Sequence, residues 1–193
     1  ETIHLTIDTE IQNFTTELLR GKAGSICVMD IYTGEIIAMN SAPSFDPNMF
    51  LYGMNEKKWK EMQKDKLKPL LNKTISGLYS PGSTIKPIVA LSALENDLVR
   101  TDMNVRCNGK IEMYGHTYHC WKKKGHGNVT LKNAIKQSCD IYFYELARIL
   151  GVDRLNITAN KFGLGNKVLG EFYSNEKKGL VPSTKWKKQE LDE

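Results

Sequence analysis

The sequence predicts an α+β fold, in which a helical subdomain lies beside an antiparallel sheet. Two apolar, β-branched runs, Ser25–Tyr32 and Glu35–Asn40, flank Thr33-Gly34 and are typical of a β-hairpin. Later apolar segments have helical spacing, first from about Ser83 to Glu95 and again beyond residue 130. A chain of 193 residues with 40% hydrophobic residues can bury the core of one domain, or of a large piece of a domain.

The N-terminal elements are predicted from local signals along the chain. Ile3–Asp8 alternates apolar and polar residues as a short strand does. Thr9–Arg20 has helical spacing and stops at Gly21, a typical residue just after a helix. Beyond the hairpin, a charged helix is expected over Glu56–Lys68, where Pro69 ends it.

Residues 101–128 differ in composition from the rest of the chain. They include two Cys, three His and several Gly, and they show little hydrophobic periodicity. We therefore expect an irregular insert with a small core. Helices are predicted after it, over Leu131–Gln137, Cys139–Leu150 and Asp153–Phe162, and the tail from Lys177 onward is polar.

The charge balance excludes one large class of partner. The net charge is +5, from 27 Lys and Arg against 22 Asp and Glu. This weakly basic surface suits acidic polymers, but it is too diluted by acids to indicate nucleic acid, and no nucleic-acid motif supports that use. The first eight residues lack a basic start and an apolar run, so neither a signal peptide nor a membrane span is expected there.

The segment Ser83-Thr84-Ile85-Lys86 contains a candidate serine nucleophile, Ser83, and a candidate base, Lys86. The Pro81-Gly82 turn brings Ser83 to a helix N-terminus, where free N–H groups and the helix dipole favour developing negative charge. Lys86 lies three residues later on the same helix face. Among apolar neighbours, a lysine can give up its proton and accept one from a hydroxyl. The four residues alone also occur by chance in many proteins.

A second motif, Ser138-Cys139-Asp140, follows in the order that serine acyl-transfer enzymes use. It comes 55 residues after Ser83, at the junction of two predicted helices, where a loop can project a serine hydroxyl toward Ser83 and Lys86. An S-x-x-K motif with a later S-x-N type motif and K-T-G is the signature of penicillin-binding proteins and class A β-lactamases. Two motifs in the expected order carry far more weight than one.

With these motifs, the chain resembles the transpeptidase domain of class B penicillin-binding proteins, and most closely the elongation type, penicillin-binding protein 2. Asp140 stands where other classes carry Asn, which is similar to the elongation-type pattern. The resemblance covers nearly the whole chain and rests on Leu5-Thr6-Ile7-Asp8, Met29-Asp30, Thr33-Gly34-Glu35-Ile36-Ile37-Ala38-Met39, Pro43-Ser44-Phe45-Asp46-Pro47-Asn48, Tyr79-Ser80-Pro81-Gly82-Ser83-Thr84-Ile85-Lys86-Pro87, Gly125-His126-Gly127 and Ser138-Cys139-Asp140-Ile141-Tyr142-Phe143-Tyr144.

The resemblance implies the penicilloyl-serine transferase fold, shared by β-lactamases and transpeptidases, and a peptidoglycan D,D-transpeptidase that serves cell elongation and rod shape. Ser83 would attack the D-Ala-D-Ala carbonyl of a stem peptide, with Lys86 as the base. Ser138 would relay a proton to the leaving amine, and Asp140 would orient Lys86 or contact the substrate. A β-lactam would stop at the Ser83 ester, and the Ser83 N–H would supply half of the oxyanion hole.

The resemblance also implies partners and a location. The partners are peptidoglycan stem peptides, the lipid-linked precursor polymer, β-lactam antibiotics and a glycosyltransferase of the elongation complex. The location is the bacterial inner membrane, with the catalytic domain in the periplasm and the membrane anchor outside this chain. No organic cofactor is expected.

The third motif of the family is missing. No K-[ST]-G follows Ser138, and Lys73-Thr74-Ile75-Ser76-Gly77 lies before the nucleophile. Because Gly179–Lys187 resembles the region that precedes that motif, we expect a partial transpeptidase domain over residues 1–193 that lacks its C-terminal strands and is catalytically impaired. Within it, we expect N-terminal strands and a helix in 1–50, the nucleophile helix in 79–100, the Cys/His insert in 101–128 and the helices carrying the S-x-D motif in 129–165.

The insert contains candidate metal ligands. Cys107, Cys120, His126 and Cys139 have the spacing C-x12-C-x5-H-x12-C, which is looser than that of zinc fingers, yet three thiolates and one imidazole suit tetrahedral Zn²⁺. Such an ion would be structural and would hold the loop of the second motif, as it does in some penicillin-binding protein 2 relatives. A Cys107–Cys120 disulfide and free thiols are the alternatives, with His116 and His119 as competing ligands. Cys27, in an apolar strand, is expected to be a small core residue.

Two other functions remain compatible with the sequence. A serine β-lactamase or β-lactam sensor shares the S-x-x-K motif and the fold, but the long N-terminal match and Ser138-Cys139-Asp140 favour the transpeptidase. A zinc-stapled scaffold without catalysis is the non-enzymatic alternative. The presence of Ser83, Lys86 and Ser138 argues against it.

Overall fold

The chain divides into two units in the computed structural model, which describes residues 2–170 and 173–190. Unit 1 comprises residues 1–79 and 169–177, and unit 2 comprises residues 80–168 and 178–193. Antiparallel strand pairs occur together with helices, so the predicted α+β class is confirmed. Among the described residues, no helix combines the length and the apolar character that a membrane crossing requires.

Unit 1 contains the predicted hairpin. Its elements are α1 (Thr9–Leu18), β1 (Gly24–Met29), β2 (Ile36–Ala42), α2 (Asn48–Leu51), α3 (Glu56–Lys64) and α4 (Lys73–Ser76). The turn forms because the Asp30 carboxylate accepts hydrogen bonds from the N–H groups of Tyr32 and Thr33, each 2.8 Å long. Cys27 lies on the exposed face of β1, so its prediction as a core residue was wrong.

Ile3–Asp8 is not a strand, contrary to the sequence prediction. The segment touches β2 through only two hydrogen bonds: the Thr6 hydroxyl donates to the Ile36 carbonyl at 2.6 Å, and the Asp8 N–H donates to the Ile37 carbonyl at 2.9 Å. Asp8 then caps α1 and turns the chain into the helix. The residues of this segment do alternate, but the chain turns away from β2 before a regular series of backbone hydrogen bonds can form.

Unit 2 contains the helical subdomain. Its elements are the 3-10 turn Gly82–Ile85, α5 (Lys86–Glu95), β3 (Asn104–Cys107), β4 (Lys110–Met113), β5 (His116–His119), β6 (Gly127–Thr130), α6 (Leu131–Lys136), α7 (Asp140–Leu150), α8 (Val152–Lys161) and α9 (Thr184–Glu190). α7 is the central helix, because α5 and α8 both pack against it and Tyr142, Leu146 and Leu150 on it are fully buried. The core of unit 2 therefore surrounds the helix that begins at Asp140.

The insert is more regular than the sequence predicted. β3 pairs with β6, and β4 pairs with β5, both antiparallel. Tyr114 and Gly115 have φ values of 52° and 76°, which is the pattern of a type I′ hairpin turn. Each strand has only four residues, so the alternation is too short to stand out in the sequence.

Two helices differ from their predicted extents. α3 ends at Lys64, before the expected Lys68, because the chain turns at Asp65, whose carbonyl accepts from the Lys68 N–H at 3.0 Å. In the polar tail, α9 forms where no helix was predicted. Its first residue, Thr184, donates to the Asp153 carboxylate through both its N–H (2.8 Å) and its hydroxyl (2.7 Å). Tertiary anchoring, which hydropathy does not reveal, thus fixes this helix.

Candidate active site

Ser83 lies in the 3-10 turn that leads directly into α5. Gly82 has φ of 57°, a left-handed conformation that glycine adopts without a Cβ penalty. Side chains three residues apart in a 3-10 turn lie on the same side, so Ser83 and Lys86 project together, as predicted for the motif. Ser83 is exposed and Lys86 is buried. The nucleophile candidate is therefore accessible, and the lysine is largely shielded from water.

Lys86 is the centre of the polar contacts. Its Nζ donates to the Ser138 carbonyl at 3.0 Å, to Ser138 Oγ at 3.0 Å and to Asp140 Oδ1 at 2.6 Å. The Phe143 ring lies beside it, with its centroid 5.5 Å from Nζ. A lysine ammonium has three donors, so these three oxygens can satisfy it completely. The cost of burying the charge is offset by the facing Asp140 carboxylate.

Ser138 bridges the nucleophile candidate and the lysine. Its hydroxyl donates to Ser83 Oγ at 2.9 Å while accepting from Lys86 Nζ. Within the described part of the chain, Lys86 and Ser83 share no direct hydrogen bond. Ser138 occupies the turn between α6 and α7 with φ of 50°, a left-handed value that is unfavourable for a residue with a Cβ. The two sequence motifs are thus brought together through one strained residue.

The two carboxylate oxygens of Asp140 face different donors. Oδ1 accepts from Lys86, and Oδ2 accepts from the backbone N–H of Trp121 at 3.0 Å. Burial alone would raise the pKa of this carboxyl, but the hydrogen bonds from Lys86 and Trp121 and the lysine charge outweigh it and lower the pKa. Asp140 is also the first residue of α7, where the helix dipole favours negative charge. The carboxylate is therefore ionised at neutral pH.

Trp121 was missed by the sequence interpretation. Its indole Nε1–H donates to the carbonyls of Gln137 at 3.0 Å and Ser138 at 3.1 Å. These acceptors are backbone atoms of a distant segment, and no residue pattern signals such a contact. Only the fold reveals that the insert reaches the second motif.

The four predicted metal ligands converge. The ligand atoms of Cys107, Cys120, His126 and Cys139 all lie within 4.8 Å of one another. His126 Nδ1 lies 3.6 Å from the sulfur of Cys107 and 3.5 Å from that of Cys120. Cys107 ends β3 and Cys139 immediately precedes α7, so the cluster joins the insert to the start of the central helix.

The donor set fits a tetrahedral zinc ion. Zinc lies about 2.3 Å from sulfur and about 2.0 Å from nitrogen, which places tetrahedral sulfur and nitrogen ligands roughly 3.5 Å apart. Burial lowers the pKa of His126, which keeps the imidazole in its neutral, metal-binding form. Burial raises the pKa of the Cys139 thiol, and a bound cation would offset that penalty on the thiolate. All four cysteines are free thiols in the structure, and His116 and His119 are exposed.

The chain matches one protein-family model and several characterised relatives. Residues 24–192 match the penicillin binding protein transpeptidase domain. The chain is 38% identical over 187 residues to peptidoglycan D,D-transpeptidase MrdA of Acinetobacter baumannii, a match that covers 96% of this chain and 28% of the relative. It is 35% identical over 189 residues to the Escherichia coli K12 protein of the same name, covering 97% of this chain and 30% of the relative. The chain thus spans less than a third of these relatives.

Solved structures agree with the sequence relatives. PBP2 of Pseudomonas aeruginosa superposes with a TM-score of 0.90 at 39% identity, covering 98% of this chain and 43% of that one. PBP2 of Helicobacter pylori gives a TM-score of 0.90 at 35% identity, covering 97% of this chain and 35% of that one. Because the family model matches most of its length, the chain belongs to the penicillin-binding protein transpeptidase family, and the relatives described above are of the PBP2 or MrdA type.

Proposed function

We propose that this chain carries the nucleophile and the proton-transfer groups of a peptidoglycan D,D-transpeptidase of the elongation type. The proposal rests above all on one observation, the continuous polar path from Ser83 through Ser138 to Lys86 and Asp140. The names of the A. baumannii and E. coli relatives support the reaction class.

In the first step, Ser83 Oγ attacks the carbonyl carbon between the two D-Ala residues of a stem peptide. The C–N bond to the terminal D-Ala breaks, and an ester forms on Ser83. Serine hydroxyls both donate and accept, so the Ser83 proton can pass to Ser138 while the Ser138 proton passes to Lys86 Nζ, once that nitrogen is neutral. The same path run in reverse delivers a proton to the departing amine of D-Ala.

In the second step, the amine of another stem peptide attacks the Ser83 ester. The amine loses a proton through the same residues, the C–O bond to Ser83 breaks, and the Ser83 hydroxyl is restored with a new peptide crosslink. Asp140 keeps a negative charge beside Lys86 throughout, which holds the lysine between the two motifs. A β-lactam carbonyl would be attacked in the same way, and its ester would persist because the leaving amine stays tethered.

We further propose that Cys107, Cys120, His126 and Cys139 hold a structural zinc ion. The support is the convergence of the four ligand atoms and the match of the sulfur–nitrogen distances to tetrahedral geometry. Four protein ligands complete a tetrahedral shell, so the ion would have no open position for substrate or water. When bound, it would fix the insert to the residue between Ser138 and Asp140.

Peptidoglycan and its lipid-linked precursor polymer are the proposed substrates, which places the reaction outside the cytoplasmic membrane. A glycosyltransferase of the elongation complex is the proposed partner. Support comes from two similar solved structures, a complex of PBP2 with MreC from H. pylori and a peptidoglycan synthase complex that couples polymerization to crosslinking.

The test is covalent labelling of the full-length protein by a fluorescent penicillin. We expect one label per molecule, located on Ser83 by peptide mass spectrometry and lost in Ser83→Ala. Ser80→Ala, which removes an exposed hydroxyl three residues earlier, is the matched control and should be labelled normally. Rapid release of hydrolysed penicillin would instead indicate a β-lactamase, and absence of labelling would favour a non-catalytic scaffold. Crosslinking of stem peptides with release of D-Ala would establish the transpeptidase.

A further inference from the structure

Trp121 contacts the Ser138–Asp140 turn through both its backbone and its side chain. The backbone N–H donates to Asp140 Oδ2 at 3.0 Å, and the indole N–H is shared between the carbonyls of Gln137 and Ser138. These partners lie 16 to 19 positions away in the sequence. One residue of the insert thus supplies donors to both ends of the second motif.

Burial of apolar surface does not explain the placement of this side chain. Trp121 is 64% exposed, and its ring meets the His126 ring edge-on with centroids 5.3 Å apart. An exposed indole gains little from the hydrophobic effect in this position. The hydrogen bonds of Nε1–H and the contact with His126 therefore define its orientation.

The turn that Trp121 contacts contains a strained residue, Ser138, which needs stabilising contacts. Ser138 has a left-handed φ, which is unfavourable for a residue with a Cβ and persists only when surrounding contacts enforce it. Its carbonyl accepts from two donors, Lys86 Nζ and Trp121 Nε1. Holding that carbonyl restrains the backbone at Ser138, and with it the position from which Ser138 Oγ reaches Ser83.

The Asp140 carboxylate is held in the same manner. Its two oxygens face Lys86 and the Trp121 N–H, so the plane of the carboxylate is set from both sides. The backbone donor is independent of the side chain at position 121, and the indole donor depends on it. The two effects can therefore be separated by substitution of the side chain alone.

We propose that Trp121 is a positioning residue for acyl transfer: its indole N–H holds the Ser138 turn so that the path from Ser83 to Lys86 is assembled before the substrate binds. This inference rests on the proposed function of Ser83 as the nucleophile. Trp121 accelerates ester formation through Ser138 and makes no contribution to the affinity for the acyl donor.

The test compares Trp121→Phe with the parent in the full-length protein. Phenylalanine keeps an aromatic ring beside His126 and the backbone N–H to Asp140 but removes the indole donor. Stopped-flow labelling with a fluorescent penicillin separates the noncovalent dissociation constant from the rate constant of ester formation. Because one hydrogen bond is lost, we expect the rate constant to fall about tenfold. The dissociation constant and the final amount of label on Ser83 should be unchanged. Trp186→Phe, in α9, is the matched control and should behave as the parent.

Three results would overturn the inference. An unchanged rate constant excludes a positioning role. A larger dissociation constant with an unchanged rate constant assigns Trp121 to substrate binding. A reduced amount of label that forms at the parental rate indicates a loss of folded protein only. If Trp121→Phe does not fold, benzothienylalanine at this position, which has the shape of tryptophan without the N–H, provides the same comparison.

Failure of the proposed function is distinguishable from failure of this inference. If the proposed function is wrong, the parent protein will not be labelled at Ser83 at all. In that case, hydrogen exchange of the Trp121 indole N–H in the unmodified protein decides the positioning. Slow exchange supports it, and exchange as fast as that of free tryptophan overturns it.

Discussion

The hydroxyl oxygens of Ser83 and Ser138 lie 2.9 Å apart, although 55 positions separate the two residues in the sequence. Ser138 makes this contact from a left-handed turn, while its Oγ and its carbonyl both accept from Lys86. The hydroxyl of Ser138 and the backbone strain at the same residue therefore contribute to different properties. We expect the hydroxyl to affect proton transfer and the backbone strain to affect stability.

Replacing Ser138 with Gly or with Ala should separate these properties. Both substitutions remove the hydroxyl, so we expect labelling by penicillin to slow by about 10²–10⁴-fold in each, the usual contribution of an acid–base group. Glycine adopts φ of 50° freely and alanine does not, so Ser138→Gly should be about 1 kcal/mol more stable than Ser138→Ala. Labelling rates and denaturant unfolding provide the measurements. A Ser138→Gly variant that is labelled at the parental rate would exclude Ser138 from the proton path.

Breaking the ion pair between Lys86 and Asp140 should destabilise unit 2. The two side chains are only 11% and 22% exposed, so Lys86→Met leaves a partly buried carboxylate that keeps the Trp121 N–H as a donor but has lost its charged partner. We expect a loss of about 3 kcal/mol in the free energy of unfolding. The double variant Lys86→Met with Asp140→Asn should recover a substantial part of it, because no unpaired charge remains.

The matched control for this prediction is Lys60→Met. Lys60 pairs with Glu56 at 2.5 Å, but the two side chains are 60% and 78% exposed. An exposed pair of this kind contributes less than about 1 kcal/mol. If both lysine substitutions cost the same in chemical unfolding, burial does not control the strength of the Lys86 pair.

Much of the fold could be predicted because its signals are local. The hairpin of β1 and β2 follows from β-branched runs around a turn. The helices α1, α5, α7 and α8 follow from apolar spacing, and a glycine comes soon after α1, α7 and α8. α9 could not be predicted in this way. Its first turn is fixed by Asp153, a residue 31 positions earlier.

The candidate site was predicted only in part, for the same physical reason. Ser83 and Lys86 are three residues apart, so their proximity follows from local geometry. The convergence of Ser138 on them was expected from the order of the two motifs and from the family resemblance, since nothing local requires it. Trp121 was missed entirely because it acts through donors to backbone carbonyls. Every residue type has a backbone carbonyl. A contact with such an acceptor therefore cannot be recognised from the residue types of a single sequence.

Zinc analysis should give one ion per molecule. Removal of zinc by a strong chelator should lower the melting temperature, because the proposed ion would join β3 to the start of α7 and would stabilise only the folded chain. Cys139→Ser should lose the metal. Cys27→Ser, which changes an exposed thiol outside the cluster, should retain it. Elemental analysis and thermal unfolding with and without chelator provide the data.

A thiol count distinguishes the alternatives to zinc. With metal bound, we expect one rapidly reacting thiol in the native protein, from Cys27, and four after denaturation with chelator. Two thiols after denaturation would indicate a Cys107–Cys120 disulfide. Four thiols without any metal would leave the cluster as free cysteines, and either result would contradict the zinc proposal.

Gly125 should tolerate no side chain, because the backbone of the insert passes close to it. Its φ is 75°, and a Cβ at this position would lie 2.1 Å from the Cys107 carbonyl oxygen. Gly115 offers a matched control, since it has nearly the same φ of 76° but no atom within 4 Å of the added carbon. Gly115→Ala should therefore cost only the backbone penalty of about 1 kcal/mol.

Gly125→Ala should cost roughly 2–4 kcal/mol, because the steric overlap adds to the same backbone penalty. The Cys107 backbone has to move to relieve that overlap, and Cys107 is one of the proposed ligands. We therefore expect weaker zinc binding in Gly125→Ala and unchanged zinc binding in Gly115→Ala, measured by competition with a chromogenic chelator. Equal stability and equal zinc affinity in the two variants would mean that the insert backbone adjusts to a Cβ at position 125. The close packing at Gly125 would then not determine the position of Cys107.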